Sequence, residues 1–230
     1  MTTIPGNLQH VRARIATACQ RAGRGVEEVT LLAVSKTFGA DAVRAAAAAG
    51  QRAFGENYIQ EGVEKIAALR DLGLMWHCIG PIQSNKTRLV AEHFDWVHTV
   101  DRLQIAERLS AQRPADRPPL NVCIQVNIDG GANKSGVAPG DALALARAVA
   151  ALPQLKLRGL MSIPEIAPDF EAARAVHASA RALFDQLNAD GLGLDTLSMG
   201  MSDDLEAAIA AGSTMVRIGT AIFGSRAPNP

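Results

Sequence analysis

The sequence predicts an α/β protein that folds as a single (β/α)8 TIM barrel with an extra N-terminal helix. Eight short apolar segments alternate along the chain with segments of helical periodicity. The first of these segments, 29–35, is apolar on both faces, which is typical of a parallel strand covered by helices. No change in composition divides the chain, so we predict one domain over residues 1–230.

The predicted elements follow one another in a regular order. Apolar residues recur at helical spacing over 7–23, where Asn7 is predicted to be the N-cap and Gly23 to end the helix. The predicted strands are 29–35, 52–55, 75–79, 95–100, 120–128, 157–163, 194–199 and 214–218. The helices predicted after the first seven strands are 41–49, 59–69, 86–92, 103–109, 141–151, 170–187 and 205–211. Right-handed crossovers between eight parallel strands close into a barrel, and no helix is predicted after the last strand.

Composition argues against several classes of protein. The 230 residues include 23 Lys and Arg and 23 Asp and Glu without a basic stripe, so nucleic acid is not an expected partner. Three widely spaced cysteines, Cys19, Cys78 and Cys123, predict buried thiols in a reducing compartment and no metal site. The N-terminus has no leader pattern and no apolar run approaches the ~18 residues that span a bilayer, so we expect a cytoplasmic protein without membrane contact.

The first predicted strand ends in a lysine, Lys36. Active sites of barrels lie at the carboxyl ends of the strands, so this amine is predicted to lie at the barrel mouth. Its apolar flank favours the neutral, nucleophilic amine, and a structural ion pair is the alternative. An amine at the mouth together with a phosphate site indicates a covalently held phosphorylated aldehyde, and pyridoxal phosphate is the obvious candidate.

Two segments near the C-terminus are candidates for the phosphate site. Ser202 is predicted to be the N-cap of the next helix, where amides attract an anion, and an ordinary N-cap is the alternative. Gly219 and Thr220 follow the last strand, and loops after strands seven and eight of barrels recurrently bind phosphate. Arg217 on the last strand is interpreted as a ligand contact, with a structural arginine as the alternative.

Two further residues give weaker signals. Lys134 is the positive charge of the loop 130–136, which is predicted to be a solvated loop, with a lid or a second amine near the site as the alternative. His77 in the third strand is interpreted as a residue that packs near the barrel interior rather than as a base. No GxSxG elbow or Ser/His/Asp arrangement indicates hydrolysis.

Taken together, the motifs resemble the pyridoxal phosphate homeostasis protein family, whose barrel is similar to the N-terminal domain of alanine racemase. The matching segments, in family order, are LAVSKT (32–37), FGENYIQ (54–60), WHCIGPIQSNK (76–86), KSG (134–136), LSMGMSDD (197–204) and VRIGTAIFG (216–224). Phe38 departs from the pattern, because some relatives carry a basic residue there.

The resemblance implies a Schiff base between Lys36 and pyridoxal phosphate. It also implies that Arg217 faces the pyridine nitrogen, that Asn57 lies near the ring substituents, and that Lys134 takes part in cofactor handling. Ser202, Gly219 and Thr220 match the positions that hold the phosphate. The predicted cofactor-binding residues are Lys36, Asn57, His77, Lys134, Met201, Ser202, Arg217, Gly219 and Thr220.

A carrier is favoured over a racemase. Racemisation needs acid/base groups on both faces of the substrate carbon, and alanine racemases bring the opposing tyrosine from a second domain, whereas this sequence has Tyr58 alone and no second domain. Arg217 disfavours protonation of the pyridine ring, which weakens carbanion chemistry. We expect a monomeric, non-catalytic protein of vitamin B6 homeostasis that passes pyridoxal phosphate to apo-enzymes. A low-activity amino-acid racemase and a phosphate-binding isomerase without a Schiff base are the alternatives.

Overall fold

Eight parallel strands pair with their neighbours in chain order, and the last strand pairs with the first, which closes a barrel. The computed structural model describes residues 3–132 and 134–225, and residues 1, 2, 133 and 226–230 of the predicted domain lie outside the described residues. The strands are β1 (Thr30–Val34), β2 (Ala53–Glu56), β3 (Met75–Cys78), β4 (Trp96–Val100), β5 (Leu120–Gln125), β6 (Leu155–Met161), β7 (Thr196–Ser198) and β8 (Met215–Ile218). The predicted (β/α)8 barrel is confirmed.

Helices cover the outside of the barrel. They are α1 (Ile4–Arg21), α2 (Ala40–Ala48), α3 (Ile59–Ala68), α4 (Thr87–His93), α5 (Leu103–Gln112), α6 (Ala142–Ala150), α7 (Phe170–Ala189), α8 (Leu205–Ala210) and α9 (Thr220–Phe223). In the part of the chain that the structure describes, none of them combines the length and the apolar character that crossing a bilayer requires.

The extra N-terminal helix is present, but it begins before Asn7. Thr3 is the N-cap, and its side chain accepts a hydrogen bond of 3.2 Å from the Gly6 N–H. Pro5 lies in the first turn, where its missing N–H has no helical acceptor, so the Pro5-Gly6 pair does not delay the helix. Gly23 adopts a positive φ of 66° after the last turn, in agreement with its prediction as the end of the helix.

Two predictions about the last strands are wrong. Asp204, not Ser202, is the N-cap of α8, and Ser202 lies in the preceding turn. A short helix, α9, follows β8, where none was predicted. It has four residues, and one turn is too short for a helical periodicity to show in the sequence.

The strands separate two apolar environments. Ala33 packs with α1 and α2 in the large cluster outside the barrel, together with Val11 and Val43. Leu32 and Val34 alternate with Ala33 and so face the barrel interior, where they pack with Ile79 and Met215. This double burial explains why the first strand is apolar on both faces.

The predicted strand 120–128 is longer than β5. β5 ends at Gln125, although the Val126 N–H still donates to the Met161 carbonyl at the end of β6, and Val126 forms an isolated bridge with Val137. The Val137 N–H donates to the Gln125 carbonyl and the Asn127 N–H donates to the Val137 carbonyl. The end of β5 is therefore held by its own following loop.

Candidate functional site

A cavity of about 520 Å³ opens at the carboxyl ends of β1 and β8. Seven of the predicted cofactor-binding residues line it, namely Lys36, Asn57, Met201, Ser202, Arg217, Gly219 and Thr220. Val34, Thr37, Phe38, Ile79, Ile163, Asp203 and Gly224 complete the lining. Its volume lies in the range of about 300–1,000 Å³ that is usual for sites of small molecules. The structure thus brings together residues that lie far apart in the sequence, from the end of β1 to the segment after β8.

Lys36 is half-buried in the turn that follows β1. The next residue, Thr37, has a φ of 68°, which is an unusual conformation for a β-branched residue. The Thr37 N–H donates a hydrogen bond of 2.7 Å to Glu61 Oε1 on α3. A residue in this conformation persists where its surroundings over-determine it, and the Glu61 contact is one such constraint.

A buried ion pair lies behind this turn. Lys65 Nζ on α3 donates to Glu56 Oε1 on β2 at 2.8 Å and to Glu61 Oε1 at 2.6 Å. The same Nζ donates to the Ser35 carbonyl at 2.8 Å, and Ser35 Oγ donates to Glu56 Oε1 at 2.6 Å. Burial raises the pKa of Glu56, against the opposing effect of the hydrogen bonds from Lys65 and Ser35. The backbone that presents Lys36 is thus fixed from the outside of the barrel.

Arg217 lies at the base of the cavity and is 4% exposed. Its guanidinium donates to Ser198 Oγ at 2.8 Å and to the Ser162 carbonyl at 3.0 Å. Burial lowers the pKa of Arg217 to about 10, which leaves it a cation at neutral pH. The structure therefore provides a fixed positive charge in the lining of the cavity.

His77 does not line the cavity. It lies in the barrel interior, stacked on Trp96, and its Nδ1 is 2.9 Å from His98 Nε2. His98 Nδ1 is in turn 2.9 Å from Ser198 Oγ, so the chain of hydrogen bonds ends at Arg217. Burial lowers the pKa of His77 to about 3 and that of His98 well below its usual value. The sequence-based interpretation of His77 as an interior residue agrees with this placement, but its inclusion among the cofactor contacts does not.

Ser202 meets the short helix α9 on one side of the cavity. Ser202 Oγ accepts a hydrogen bond of 3.5 Å from the Ala221 N–H. Gly219 allows close approach of the backbones, because a Cβ there would lie 3.3 Å from the Val34 carbonyl oxygen. The hydroxyls of Ser202 and Thr220 and the adjacent backbone form a set of donors suited to an anion.

The two aspartates after Ser202 behave differently. The Asp204 carboxylate is held by His177 Nε2 at 2.8 Å and by the Met201 N–H at 2.7 Å. Burial acts to raise the pKa of Asp204, but these two hydrogen bonds outweigh it and the pKa is lowered. Asp203 is exposed and lines the cavity, so one carboxylate remains beside the anion donors.

Asn57 follows β2 and is one of the residues that line the cavity. Asn57 Oδ1 is buried and has no hydrogen-bond partner among the described residues. Gly80 lies against the Asn57 backbone, since a Cβ at Gly80 would lie 2.0 Å from the Asn57 carbonyl oxygen. Buried polar atoms are normally paired, so Asn57 Oδ1 is a candidate contact for a bound molecule.

Lys134 does not line the cavity either. Its Nζ donates to Asp129 Oδ2 at 2.7 Å and to the Ile163 carbonyl at 3.2 Å. Asp129 Oδ2 also accepts from the Glu165 N–H at 2.7 Å. Lys134 therefore ties the loop after β5 to the loop after β6, and it reaches the cavity wall only through Ile163.

Sequence reasoning missed the residues that support the site from outside the barrel. The sequence does show Glu56 as a carboxylate at the end of a buried strand. It also shows Glu61 and Lys65 as an i,i+4 pair on α3. Their convergence on Ser35 had no signal in the sequence, because it depends on how α3 packs on β2. The contact of Arg14 on α1 with the Ser202 carbonyl also had no signal in the sequence, because it depends on how α1 packs against the segment after β7.

Comparisons with known proteins agree on one family. The family model of the alanine racemase N-terminal domain matches residues 6–227. A pyridoxal phosphate homeostasis protein of Pseudomonas aeruginosa is 64% identical over 226 residues, which cover 98% of this chain and 97% of the relative. A protein with the same description from Escherichia coli is 58% identical over 233 residues, with 98% of each chain covered.

Solved structures give the same result. PipY of Synechococcus elongatus, solved without PLP, is 40% identical with a TM-score of 0.85, and the match covers 96% of this chain and all of PipY. The PipY structure with PLP bound has a TM-score of 0.80 at 40% identity and covers 91% of this chain. Alanine racemase from Corynebacterium glutamicum, at 21% identity and a TM-score of 0.66, shares the fold over 61% of its own chain.

Proposed function

Because the chain belongs to the pyridoxal phosphate homeostasis protein family, within the wider family of the alanine racemase N-terminal domain, we propose that it holds pyridoxal 5′-phosphate on Lys36. The observation that carries the proposal is one cavity that combines the Lys36 amine, the buried Arg217 cation and the donors around Ser202, Gly219 and Thr220. The PLP-bound structure of PipY supports it.

The residues in the cavity fit the cofactor. Asn57 Oδ1 is a buried acceptor with no partner among the described residues, and it matches the need of a ring substituent for a hydrogen-bond partner. Gly219 lets the backbone come close to Val34 at the cavity, because a Cβ there would lie 3.3 Å from the Val34 carbonyl oxygen. We propose that Ser202, Gly219 and Thr220, with Met201 beside them, hold the phosphate, and that Arg217 faces the pyridine nitrogen.

The bound cofactor supplies an aldehyde, and the chain supplies the amine. In the proposed Schiff base, Lys36 Nζ forms a C=N double bond with the aldehyde carbon and the aldehyde oxygen leaves as water. Hydrolysis reverses the reaction, so capture is covalent and reversible. The anion donors then contribute to the affinity for the phosphate, and the carbon–nitrogen bond slows the release of the cofactor.

The lining of the cavity supports a carrier without catalytic activity. Besides Lys36, the titratable residues that line it are Asp203 and Arg217, and Asp203 shares a loop with Ser202 at the proposed phosphate side. Tyr58 is 52% exposed and is not among the lining residues. A racemase needs a proton donor opposite the lysine, and the described lining offers none there. Weak racemase activity is the alternative function.

Cellular context follows from the same proposal. We propose that the chain, as one domain over residues 1–230, acts as a cytoplasmic monomer and passes pyridoxal phosphate to apo-enzymes in vitamin B6 homeostasis. The buried, free thiols of Cys19, Cys78 and Cys123 support a reducing compartment. Burial raises the pKa of Cys78 and that of Cys123 to about 12, so neither thiol is poised to react.

The visible absorbance of the purified protein with added pyridoxal phosphate tests the proposal. We expect a yellow band that disappears on borohydride reduction and leaves a stable adduct, which mass spectrometry locates on Lys36. The Lys36→Ala variant should lack the adduct at this position, and the control Lys156→Ala, at an exposed lysine on β6, should retain it. A wild-type protein that stays colourless, or an adduct confined to other lysines, contradicts the proposal.

A further inference from the structure

Helix α1 contacts both segments that form the phosphate side of the cavity. We call these segments the phosphate cradle, which consists of Met201, Ser202, Asp203, Gly219 and Thr220. One segment follows β7 and the other follows β8, and the hydrogen bond that joins them, from the Ala221 N–H to Ser202 Oγ, is long at 3.5 Å. The Arg217 N–H on β8 also donates to the carbonyl of Gly200, the residue before Met201, at 2.9 Å. Contacts from outside add to these bonds in setting the relative position of the two segments.

Arg14 on α1 holds the first segment through its backbone. Its Nη2 donates a hydrogen bond of 2.9 Å to the Ser202 carbonyl oxygen. The same guanidinium forms a two-pronged ion pair with Glu206 on α8, with distances of 2.8 Å and 2.9 Å. The two-pronged geometry fixes the plane of the guanidinium, so its direction toward Ser202 is fixed as well.

This contact orients a peptide group of the cradle. The Ser202 carbonyl and the Asp203 N–H belong to one planar trans peptide, and in such a peptide the two groups point in opposite directions. Because the carbonyl points to Arg14, the Asp203 N–H points away from α1. Asp203 lines the cavity, so an N–H with this orientation is available to an anion there.

Asn7 holds the second segment in a similar way. Its Nδ2 donates a hydrogen bond of 2.9 Å to the Ile222 carbonyl oxygen on α9. The apolar face of α1 adds to this contact, because Leu8 and Val11 are fully buried in the same cluster as Ile222. Helix α1 is thus a shared support for both halves of the cradle.

We propose that Arg14 is a positioning residue for the cofactor phosphate and that α1 couples the two halves of the cradle. The proposal rests on the function proposed above, and it adds that an arginine outside the cavity sets affinity for the phosphate. Arg14 acts through the Ser202–Asp203 peptide and does not line the cavity. It should therefore affect recognition of the phosphate and leave recognition of the aldehyde and the ring unchanged.

Two probes separate these contributions, namely pyridoxal 5′-phosphate and pyridoxal, which carries the same aldehyde and ring without the phosphate. The dissociation constant of each is measured by absorbance titration of the wild type, Arg14→Met and Arg12→Met. Arg12 is the matched control, because it also lies on α1 and also donates to a backbone carbonyl, that of Ala49, but away from the cradle. Loss of a charge-assisted hydrogen bond predicts that Arg14→Met weakens binding of pyridoxal phosphate about tenfold.

We expect pyridoxal to bind Arg14→Met and the wild type equally, and Arg12→Met to bind both probes as the wild type does. Equal weakening of both probes by Arg14→Met, or no weakening of either, overturns the proposal. A wild type that binds neither probe contradicts the proposed function itself, and a wild type that does not distinguish them contradicts the phosphate assignment.

A second variant covers the case in which Arg14→Met does not fold, as judged by circular dichroism. Arg14→Lys keeps the positive charge beside Glu206 but cannot contact both Glu206 oxygens and the Ser202 carbonyl in one plane. We expect it to reduce the preference for pyridoxal phosphate over pyridoxal. An unchanged preference in a folded Arg14→Lys protein overturns the positioning role.

Discussion

Lys65 donates a hydrogen bond of 2.8 Å to the carbonyl oxygen of Ser35, the residue immediately before Lys36. The donor is 5% exposed and also contacts Glu56 and Glu61, so a buried ion cluster outside the barrel fixes the backbone of the lysine inside its mouth. Charge is rarely buried without a partner, because its desolvation is costly. The cluster is a structural support of the site, and its removal has consequences for stability that can be measured.

Lys65→Met removes the cation and leaves the Glu56 carboxylate buried without its partner. Breaking a buried ion pair on one side costs about 3–5 kcal/mol, so we expect the free energy of unfolding in urea to fall by this amount. The double variant Lys65→Met with Glu56→Gln should recover part of the loss, since no buried charge is then left unpaired. Arg88→Met is the control, because the Arg88–Glu92 pair is exposed and should contribute less than about 1 kcal/mol. A loss of similar size in both single variants would show that the buried cluster does not stabilise the fold.

His77 and His98 predict a loss of stability in mild acid. Both imidazoles stay neutral in the folded protein, since burial lowers the pKa of His77 to about 3 and that of His98 well below its usual value. In the unfolded chain each takes up a proton below pH ~6.5. Because the folded pKa values lie below the unfolded ones, stability is complete above pH ~6.5 and falls as the pH drops toward the folded values.

The change that His77→Gln makes to the slope of the unfolding free energy between pH 6.5 and pH 5 measures this effect. Carboxylates with ordinary pKa values titrate little in that window, and Glu56, whose pKa is raised, contributes to the slope of both proteins. We expect His77→Gln to reduce the slope by about one proton relative to the wild type. A slope that is the same in His77→Gln and the wild type is incompatible with a His77 that stays neutral in the folded protein.

Much of the fold and most of the cavity could be predicted from the sequence. Parallel strands covered on both sides leave a strong apolar signal, and residues at strand ends such as Lys36 and Arg217 converge wherever the strands close into a barrel. The helix α9 was missed because one helical turn has no periodicity, and the start of α1 was misplaced because Pro5-Gly6 resembles a turn.

The positions of His77 and Lys134 relative to the cavity could not be predicted. His77 is one residue of a strand in which side chains alternate in direction, and its depth in the barrel depends on the register with β4, where it faces Trp96. Lys134 lies in a loop whose course is set by Asp129 and Ile163, and no local pattern encodes that contact.

Gly80→Ala tests how Asn57 is placed. A Cβ at Gly80 would lie 2.0 Å from the Asn57 carbonyl oxygen, which is backbone and cannot rotate away. We expect a loss of about 1–3 kcal/mol in the free energy of unfolding and weaker binding of pyridoxal phosphate, because Asn57 moves away from the cavity. Gly140→Ala is the control, since no atom lies within 4 Å of a Cβ there. Wild-type binding by a folded Gly80→Ala protein would show that Asn57 does not contact the cofactor.

Formation of D-alanine from L-alanine distinguishes a carrier from a weak racemase. Racemisation requires a proton donor on the face opposite Lys36, and Tyr58, the one tyrosine of the sequence, lies outside the cavity lining and is 52% exposed. We therefore expect the protein loaded with pyridoxal phosphate to convert L-alanine to D-alanine no faster than free pyridoxal phosphate does. Tyr58→Phe should change neither this rate nor cofactor affinity. Conversion well above that background and lost in Tyr58→Phe would mean that the tyrosine enters the cavity when substrate binds, and the racemase alternative would then be preferred.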